Sequence, residues 1–459
     1  MGRITLSQAA QWCGGRVDPK YADVTFLGAS NDTRKILPGQ LFVVLQGARD
    51  GHEFVPAAIQ NGAAAVLCSR DVGDVPAIIV DDPRIALGDI ARHERQRIGM
   101  KVVGVTGSVG KSTTKEMICA VLEKKFRVSK TPANHNNDIG MPMAILGMSE
   151  DTEVAVLEMG MNHFREIAYL ASIGRPDVAV ITNIGTMHIE HLGSQEGILQ
   201  AKLEILEGMD EDGKVILNGD DSLLWNLHRE AKRPIIYFGS ANADCDCLGS
   251  EVVQEGSSLS FRTNYKGHEM DIFMGLEGLH YVSDALSAIV VGVEMGVAPE
   301  DIADSLAVFQ NMAGRQEIFD VKGITVIKDC YNAGPESMAA ALAVLGNRKQ
   351  RRVAVLGDML ELGACADAEH YRVGRLVAEK ADLVLAYGPK SDRVVIGART
   401  GGMADSHARG FTDRDALVSA MKRLIRPGDV VLVKGSRGMR MELALDQFLS
   451  EDGQAREKK

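Results

Sequence analysis

The feature that most constrains the fold of this chain is an alternation between short apolar runs and amphipathic stretches. Each run has four or five apolar residues and ends in Gly, Asn or Asp, as in KVVGVTG (101–107), DVAVITNIG (177–185) and DVVLVKGSRG (429–438). Such runs fit parallel strands buried on both faces, and intervening stretches such as STTKEMICAVLEKKF (112–126) fit helices. The alternation predicts α/β domains, in which ligands bind at the carboxyl ends of the strands.

The length of the chain indicates several domains. A chain of 459 residues is too long to fold around a single hydrophobic core. Changes in the pattern of apolar and polar residues divide it into residues 1–98, 99–312 and 313–459. The middle segment contains VVQEGSSLSFRTNYKGHEMDIFM (252–274), whose alternation of polar and apolar residues predicts antiparallel strands. We therefore predict three domains of α/β class.

Composition and charge exclude several classes of protein. The formal net charge of −11 argues against a nucleic-acid-binding surface, which needs clustered Lys and Arg. No apolar run is long enough to span a membrane, and the first residues, MGRITLSQAAQWCGG, lack a signal-peptide core. The seven cysteines predict no disulfide framework, and Cys245 with Cys247 lack a second pair for zinc. We expect a cytoplasmic protein without membrane insertion or nucleic-acid binding.

The stretch GVTGSVGKSTTKEM (104–117) resembles a phosphate-binding loop with one glycine out of place. The strict pattern requires glycine five positions before Gly110, where Val105 stands, and the glycine is at Gly107 instead. Because a strand is predicted before the loop and a helix after it, backbone N–H groups can bind phosphate there. Lys111 would reach the β- and γ-phosphates and Ser112 would bind Mg²⁺. The alternative is a glycine-rich turn that only begins a helix.

Residues that follow two other strands are further candidate metal ligands. Glu158 ends the apolar run EVAVLEMG, where nucleotide enzymes hold the metal that bridges phosphates. His188 lies in a loop after another strand and could bind metal through a neutral imidazole, although a loop histidine is often only solvated; His191 is a second candidate by type.

Lys202 lies among apolar neighbours on a predicted helix, and Mg²⁺ ions would repel its amine. It either points away or is modified to an anion.

The stretch TPANHNNDIGMP (131–142) groups Asn134, Asn136 and Asn137 around a histidine. Their side chains offer hydrogen-bond donors and acceptors without permanent charge, which suits a sugar or a peptide. The alternative is a cluster of turn residues, since Asn favours turns.

Charged residues also end the strands of the last segment. Asp329 closes the run ITVIKD, where an acid commonly accepts hydrogen bonds from ribose hydroxyls. Asp358 and Lys434 end two further runs, and Arg437 and Arg440 follow closely. Converging cations at strand ends favour a carboxylate or phosphate ligand, although solvated surface charge is the alternative for Arg440.

In combination, these motifs resemble those of the Mur ligases. The loop T-G-x-x-G-K-[ST]-[ST] (106–113) is the family's phosphate loop, and NHNNDIGMP, YNAGP, LGDMLELG and KGSRGMRME are more specific. The stretch SNDTRKILPGQLFVVLQGARDGHEF (30–54) is similar to the family's UDP-binding domain, so the resemblance covers all three segments. It implies an N-terminal UDP-binding α/β domain, a central P-loop-type parallel-sheet ATPase domain and a C-terminal Rossmann-like domain.

The resemblance also implies an activity. It points to an ATP-dependent, ADP-forming amide ligase that joins D-alanyl-D-alanine to UDP-N-acetylmuramoyl-tripeptide through an acyl phosphate, in peptidoglycan precursor synthesis. ATP, two Mg²⁺ ions and a carbamylated Lys202 would be required, and the protein would be a monomer. Rival readings are another Mur ligase, a folylpolyglutamate synthase, a nucleotide-binding regulator and an inactive relative.

The resemblance assigns roles to individual residues. Lys111, His188 and Lys202 would be catalytic, and Ser112, Glu158 and His188 would bind Mg²⁺. The expected ATP-binding residues are Thr106, Gly107, Ser108, Val109, Gly110, Lys111, Ser112, Thr113, His280, Tyr281, Arg315 and Asp329. The expected substrate-binding residues are Ser30, Asp32 and Arg34 for UDP, Asn134, Asn136 and Asn137 for the muramoyl peptide, and Tyr331, Asn332, Asp358 and Lys434 for the dipeptide.

The chain departs from the family pattern in two places. The stretch GLHYVSDALSA has Tyr281 and Asp284 where the family has asparagines. The first asparagine normally contacts adenine, and Tyr281 could replace it by stacking or through its hydroxyl group. The stretch KDCYNAGP likewise has Lys328 and Gly334 as substitutions. A further motif, DDPR (81–84), resembles one of a sister ligase but lies in the wrong domain, and we interpret it as a turn.

Overall fold

Three large β-sheets, one in each third of the chain, organise the protein. The structure is a computed structural model that describes residues 4–47, 49–229, 233–312 and 314–450. The sheets contain five, nine and six strands and are mostly parallel, with helices packed against them. The predicted α/β class with three domains is confirmed. The predicted boundaries at residues 98 and 312 fall between the sheets and stay predictions.

The first domain has a five-stranded sheet in the order β2-β7-β6-β5-β4, antiparallel only at β2. Its elements are β1 (Ile4–Thr5), α1 (Leu6–Cys13), β2 (Arg16–Val17), β3 (Thr25–Phe26), β4 (Ala29–Ser30), β5 (Leu41–Val43), α2 (Val55–Gln60), β6 (Ala65–Cys68), β7 (Ala77–Ile79) and α3 (Pro83–Ile98).

The interpretation of DDPR as a turn is wrong. Asp82 is the N-cap of α3 and its side chain accepts hydrogen bonds from the backbone N–H groups of Arg84 and Ile85, while proline at the first helical position suits a helix start. The side chain of Arg84 forms an ion pair of 2.8 Å with Asp138 in the central domain. The motif therefore begins a helix that packs against the next domain.

The central sheet has the order β16-β15-β14-β13-β12-β11-β8-β10-β9, parallel from β9 to β14 and antiparallel from β14 to β16. The predicted antiparallel strands are thereby confirmed. The elements are β8 (Lys101–Thr106), α4 (Lys111–Leu122), β9 (Val128–Lys130), α5 (Gly140–Leu146), β10 (Val154–Glu158), α6 (Glu166–Gly174), β11 (Val178–Ile181), α7 (Ile189–Leu192), α8 (Gln195–Leu203), β12 (Lys214–Asn218), α9 (Ser222–Trp225), β13 (Ile235–Gly239), β14 (Cys247–Glu255), β15 (Ser258–Tyr265), β16 (His268–Met274), α10 (His280–Glu294) and α11 (Pro299–Ala307).

The third sheet has the order β17-β18-β22-β19-β20-β21 and is parallel except at β17. Its elements are β17 (Glu317–Val321), β18 (Ile324–Asp329), α12 (Pro335–Gly346), β19 (Arg352–Gly357), α13 (Ala366–Lys380), β20 (Leu383–Tyr387), α14 (Ser391–Thr400), β21 (Ala408–Phe411), α15 (Arg414–Leu424), β22 (Val430–Lys434) and α16 (Met441–Leu449). The inner strands are apolar and buried, which confirms the strands predicted from their composition.

The contacts between the second and third domains include an ion pair and a pair of hydrogen bonds. Arg348 of the third domain pairs with the buried Glu277 of the central domain at 2.5 Å. Glu336 at the start of α12 accepts hydrogen bonds from Thr186 in the loop after β11. The two domains are therefore in contact, with the loop after β11 lying at the start of α12. Among the described residues, no helix is long and apolar enough to cross a membrane, and no cysteine is in a disulfide.

Candidate active site

The position of the displaced glycine follows from where strand β8 ends. Val105 is fully buried and pairs with Val180 and Glu158 on the two neighbouring strands, so it belongs to the sheet. The chain turns only at Gly107, whose φ is 150°. A Cβ there would lie 1.9 Å from the Thr182 Oγ1, so no side chain fits. A glycine is thus required at 107 and not at 105.

The end of strand β11 supports the loop. The backbone N–H of Ser108 donates to the Asn183 carbonyl and that of Val109 donates to the Asn183 Oδ1, both at 3.0 Å. The Thr182 hydroxyl donates to the Val109 carbonyl at 2.6 Å, and the Gly185 N–H donates to the Ser108 Oγ at 2.9 Å. Thr182 and Asn183 follow an apolar run in the sequence, where no role was predicted for them. The structure shows that they support the phosphate loop.

Lys111 folds back onto the loop that it follows. Its Nζ donates to the carbonyl groups of Gly107 at 2.6 Å and Ser108 at 3.1 Å. Burial lowers the pKa of the Lys111 amine. The charge of Glu158 opposes this shift, and the charge of Arg315 adds to it. The side chain is thereby held within the phosphate loop and close to Glu158, the predicted metal ligand.

Ser112 and Glu158, the first two predicted metal ligands, meet as expected. The Ser112 Oγ donates to the Glu158 Oε2 at 2.7 Å, and the Arg315 guanidinium donates to the same Ser112 oxygen at 2.8 Å. A hydroxyl and a carboxylate are the oxygen ligands that Mg²⁺ prefers, and Mg²⁺ commonly uses few protein ligands together with phosphates. These two residues therefore fit a magnesium ion. Among the described residues, no group of three or more His, Cys, Asp or Glu side chains is arranged to hold a metal.

Lys115 is a site residue that the sequence reasoning missed. It lies one helical turn beyond Ser112 and is fully buried, with its Nζ 3.8 Å from the Glu158 Oε2. The same ammonium donates to the Thr131 carbonyl at 2.8 Å. Lys115 therefore links α4, the Glu158 carboxylate and the asparagine-rich loop. The signal in the sequence was a lysine three positions after Ser112, on the same helix face.

The three asparagines of the loop have different surroundings. The Asn136 amide donates to the Glu158 Oε1 at 2.8 Å, which brings it into the site. The Asn137 Oδ1 instead accepts from the backbone N–H groups of Ile139 and Gly140 before α5, as a turn residue does. Asn134 is exposed. Contacts of these three residues with a peptide stay a prediction.

Lys202 does not point to solvent. Its side chain is 2% exposed, and no carboxylate pairs with its amine among the described residues. Burial, and secondarily the charge of Lys111, hold the pKa of the Lys202 amine well below its ordinary value. Both alternatives from the sequence, an amine that points away from the metal ions and an amine modified to an anion, stay predictions.

His188 faces the C-terminal domain. Its backbone has a left-handed φ of 65°, and its Nδ1 lies 2.6 Å from the Oε2 of Glu361. The stretch LGDMLELG contains this glutamate, but the sequence reasoning singled out only Asp358 within it. The structure therefore gives the predicted metal ligand an acidic partner from another domain.

The region expected to receive adenine is closed around Tyr281. The residue is 3% exposed, and its hydroxyl accepts a hydrogen bond from the Asn311 Nδ2 at 2.5 Å. The ring therefore has almost no surface for stacking, and its hydroxyl is already engaged. The His280 ring lies 4.1 Å from the Tyr281 ring. Direct adenine contacts through His280 and Tyr281 stay predictions, and Asn311 is a half-buried amide that the sequence reasoning missed.

Asp284, the second departure from the family pattern, lies against the phosphate loop. Its Oδ1 accepts from the Thr114 hydroxyl at 2.7 Å, and a Cβ on Gly110 would lie 2.8 Å from the same oxygen. Burial raises the pKa of Asp284 to about 7, against smaller opposing effects from Thr114 and Arg315. A titratable carboxyl group therefore occupies a place where the family has an amide.

Several of the expected C-terminal residues converge. The Lys434 Nζ donates to the Asp329 Oδ2 at 2.6 Å and to the Asn332 carbonyl at 3.0 Å. The Arg315 guanidinium lies over the Tyr331 ring, 4.1 Å from its centroid. These residues link the carboxyl ends of β18 and β22 to the phosphate loop and to Glu158 of the central domain.

Asp358 is placed differently from the other C-terminal candidates. It is 4% exposed, and its Oδ2 accepts from the Lys390 backbone N–H at 2.9 Å. Gly388 is packed so closely that a Cβ there would lie within 2.6 Å of both carboxylate oxygens. The carboxylate thus supports the loop between β20 and α14, and its contact with a dipeptide stays a prediction.

The two substitutions in KDCYNAGP also have local explanations. Lys328 lies on β18, beside the edge strand β17, and pairs with Glu317 of that strand at 3.6 Å. Gly334 lies against the central domain, where a Cβ would come within 2.6 Å of the Met187 Cγ. The glycine therefore allows close approach of the two domains.

The three candidates of the first domain also lie together. The Arg34 guanidinium donates to both carboxylate oxygens of Asp32 at 2.9 Å, and the Ser30 Oγ lies 3.2 Å from the Asp32 backbone N. The Arg34 guanidinium is the main reason that the pKa of Asp32 is lowered to about 2. Contact of this group with UDP stays a prediction.

Comparisons with known proteins match almost the whole chain. Family models match residues 24–95 (Mur ligase family, catalytic domain), 105–292 (Mur ligase middle domain) and 314–437 (Mur ligase, glutamate ligase domain). The UDP-N-acetylmuramoyl-tripeptide–D-alanyl-D-alanine ligase of Bacillus subtilis is 40% identical over 452 residues, which cover 96% of this chain and 97% of that protein.

Solved structures give the same result. MurF from Acinetobacter baumannii superposes with a TM-score of 0.90 at 30% identity, covering 98% of this chain and 100% of that one. MurF ligase from Thermotoga maritima in complex with ADP superposes with a TM-score of 0.81 at 28% identity, covering 92% of this chain and 97% of that one.

Proposed function

The chain belongs to the Mur ligase family, and from this premise we propose that it joins D-alanyl-D-alanine to UDP-N-acetylmuramoyl-tripeptide in peptidoglycan synthesis, with conversion of ATP to ADP. The observation that carries the proposal is the similarity to a ligase of this name along almost the full length of both chains. The phosphate loop with its serine and glutamate pair supports the use of ATP. The binding of ADP by a solved relative supports it further.

The reaction needs activation of the carboxylate because amide formation from a carboxylate and an amine is uphill in water. A carboxylate oxygen of the tripeptide attacks the γ-phosphorus, the bond to the bridging oxygen breaks, and ADP leaves. The amine of the dipeptide then attacks the acyl carbon of the acyl phosphate. The amine loses a proton and inorganic phosphate leaves with the electron pair of the broken C–O bond.

The loop residues from Thr106 to Thr113 bind the phosphates in this proposal. Their backbone N–H groups lie at the N-terminus of α4, where the helix dipole favours anions. Lys111 would move from the carbonyl groups of Gly107 and Ser108 to the β- and γ-phosphates, and it would stabilise charge that develops during transfer. Arg315, which donates to the Ser112 hydroxyl, would contact the γ-phosphate.

Mg²⁺ would be held by Ser112 and Glu158, with His188 as a further ligand for a second ion. When bound, it would neutralise the charge of the phosphates. The support for the first ion is the 2.7 Å approach of two oxygen ligands. Lys115 and Asn136 hold the Glu158 carboxylate in place from both sides.

Lys202 carries a carbamate in this proposal. A lysine amine must be neutral to add carbon dioxide, and burial favours the neutral form of Lys202. The product is an anion, which suits a site lined by Lys111 and metal ions. An unmodified, charged amine would be without a carboxylate partner at this depth.

The remaining roles follow the family pattern. We propose that Ser30, Asp32 and Arg34 bind UDP, and that Asn134, Asn136 and Asn137 face the muramoyl peptide. Nucleoside contacts are assigned to His280, Tyr281 and Asp329, and dipeptide contacts to Tyr331, Asn332, Asp358 and Lys434. We also propose that the protein acts in the cytoplasm as a monomer.

The test is release of inorganic phosphate from ATP with each substrate present or omitted. We expect release only when both UDP-N-acetylmuramoyl-tripeptide and D-alanyl-D-alanine are present. Release that is unchanged without the dipeptide would contradict the proposal. A panel with other amino acids and with folates separates the other Mur ligases and folylpolyglutamate synthase, and absence of ATP turnover with every substrate would indicate an inactive relative.

A further inference from the structure

The segment between α11 and β17 connects the central domain to the C-terminal domain and carries Arg315. The backbone of Arg315 is held by two hydrogen bonds: its carbonyl accepts from the Asn311 Nδ2 at 2.7 Å, and its N–H donates to the Met312 carbonyl at 3.1 Å. The Asn311 Oδ1 accepts from the Met312 N–H at 3.0 Å. The Asn311 side chain therefore stabilises a turn that ends at Arg315.

The same asparagine is attached to the core of the central domain. Its Nδ2 also donates to the Tyr281 hydroxyl at 2.5 Å. Tyr281 lies in the first turn of α10, is 3% exposed and belongs to the hydrophobic core on one side of the central sheet. Because a ring packed in a core has few alternative positions, its hydroxyl fixes Asn311 and, through Asn311, the backbone of Arg315.

The side chain of Arg315 leads from this turn to the phosphate loop. Its guanidinium donates to the Ser112 Oγ at 2.8 Å and lies 4.1 Å from the centroid of the Tyr331 ring. The next residue, Gln316, has a left-handed φ of 47°, and its backbone N–H donates to the Asp329 Oδ1 at 3.4 Å. The backbone at Arg315 is therefore held by the central domain before it and by the C-terminal domain after it.

We propose that Tyr281 and Asn311 are positioning residues for Arg315, which they hold where its guanidinium can contact the γ-phosphate of ATP. The inference rests on the proposed function, in which Arg315 makes that contact. A long side chain binds more tightly when its backbone is already fixed, because less conformational freedom is lost on binding. The hydroxyl of Tyr281 is then used for positioning, which leaves only its ring for the nucleoside contact proposed above.

The test is calorimetric binding of ADP and of AMP-PNP, a non-hydrolysable ATP analogue, to the full-length protein with Mg²⁺. Only AMP-PNP carries a γ-phosphate group, so the ratio of the two dissociation constants reports the contact with Arg315. We expect R315A to weaken AMP-PNP by about tenfold or more and to change ADP by less than about twofold. Y281F and N311A should weaken AMP-PNP by about three- to tenfold, again with ADP almost unchanged.

The matched control is Y265F. Tyr265 is also 3% exposed and belongs to the same core, but its hydroxyl donates to Glu294 at the other end of α10, at 2.7 Å. Y265F therefore removes a hydroxyl of equal burial without touching Asn311, and it should leave the binding of both nucleotides unchanged. In addition, Y281F should have no further effect in the R315A background, because Tyr281 acts through Arg315.

Four outcomes would overturn the inference. They are equal weakening of ADP and AMP-PNP by Y281F, equal effects of Y281F and Y265F, full additivity of Y281F and R315A, and unchanged AMP-PNP binding in R315A or in N311A. Nucleotide binding needs neither the dipeptide nor turnover. The inference therefore fails or holds separately from the substrate-dependent phosphate release that tests the proposed function.

Discussion

The phosphate loop and the loop that carries His188 both follow strands of the central sheet, but they are supported in different ways. Thr182 and Asn183 of the same domain hold the phosphate loop through four hydrogen bonds. Glu336 and Glu361 of another domain hold the His188 loop. The phosphate loop, here called the nucleotide half of the site, is therefore held within its own domain, whereas the loop of His188, the other half, is held by a second domain. Changes in the two halves should have different signatures.

The largest effect is expected from K111A in the nucleotide half. Removal of the cation that reaches the transferred phosphate should lower kcat by about 10³-fold or more. Because Thr182 and Asn183 still hold the loop when Lys111 is removed, the melting temperature should stay close to that of the wild-type protein. Phosphate release and thermal unfolding measure the two quantities. A kcat within tenfold of wild type would contradict the role of Lys111.

The second largest effect is expected from K202A, which removes the proposed carbamate. We expect activity to fall by about 10²-fold or more, without restoration by bicarbonate. After supply of ¹³C-bicarbonate, the wild-type protein should show a carbamate carbon by NMR, and K202A should not. K202R, which keeps a cation but cannot form this carbamate, is the control. Full activity of K202A, or a carbamate signal that persists in it, would refute the proposal.

A pair of glycine variants sharpens the comparison between the two halves. G107A places a Cβ 1.9 Å from Thr182 within the central domain, so it should reduce the free energy of unfolding by about 2–4 kcal/mol. G334A places a Cβ 2.6 Å from Met187 across the interface. It should instead disturb domain contact, with a larger KM for the dipeptide and little loss of stability. The same loss of stability in both variants would show that the two halves do not differ.

The effect of D284N is absent at low pH and appears only as pH rises. The pKa of Asp284 in the folded protein, about 7, is above its ordinary value of 3.8, so ionisation of the buried group opposes folding. Relative to D284N, the wild-type protein should be most stable below pH 4 and should lose stability as pH rises through 7. Above that pH, D284N should be more stable by at most about 4 kcal/mol, since each pKa unit corresponds to about 1.4 kcal/mol.

The asparagine keeps an acceptor for Thr114, so the hydrogen bond is retained as a control for size and shape. Chemical unfolding between pH 4 and 8 gives the comparison. A stability difference that is constant over this range would show that Asp284 does not titrate in it.

Parts of the fold that repeat a pattern over many residues could be predicted from the sequence. The strands ending at Thr106, Glu158 and Ile181 are runs of buried apolar residues, and each position adds to the same signal. The meeting of Ser112 and Glu158 also followed, because parallel strands bring their carboxyl ends to one edge. Short strands such as β9 and β21 were missed, since three or four residues of mixed character carry no clear period.

The functions of single polar residues were harder to predict. Asn137 and Asn136 are neighbours of the same type, yet one supports a turn and the other holds Glu158. Asp358 ends a strand like Asp329, but it is buried against the Lys390 backbone instead of joining Lys434. Residue type and position along a strand did not separate these cases, because the direction of a side chain depends on what packs around it.

The sequence by itself determined the α/β class, the placement of the phosphate loop and the family to which the chain belongs, because periodic burial and closely spaced motifs are local properties. Only the tertiary structure decided which polar and charged groups meet across domains. Thr186 and Glu336 are 150 positions apart, and His188 with Glu361 is a similar case. A contact between two distant side chains leaves no local pattern, since it depends on how two separately folded sheets approach each other.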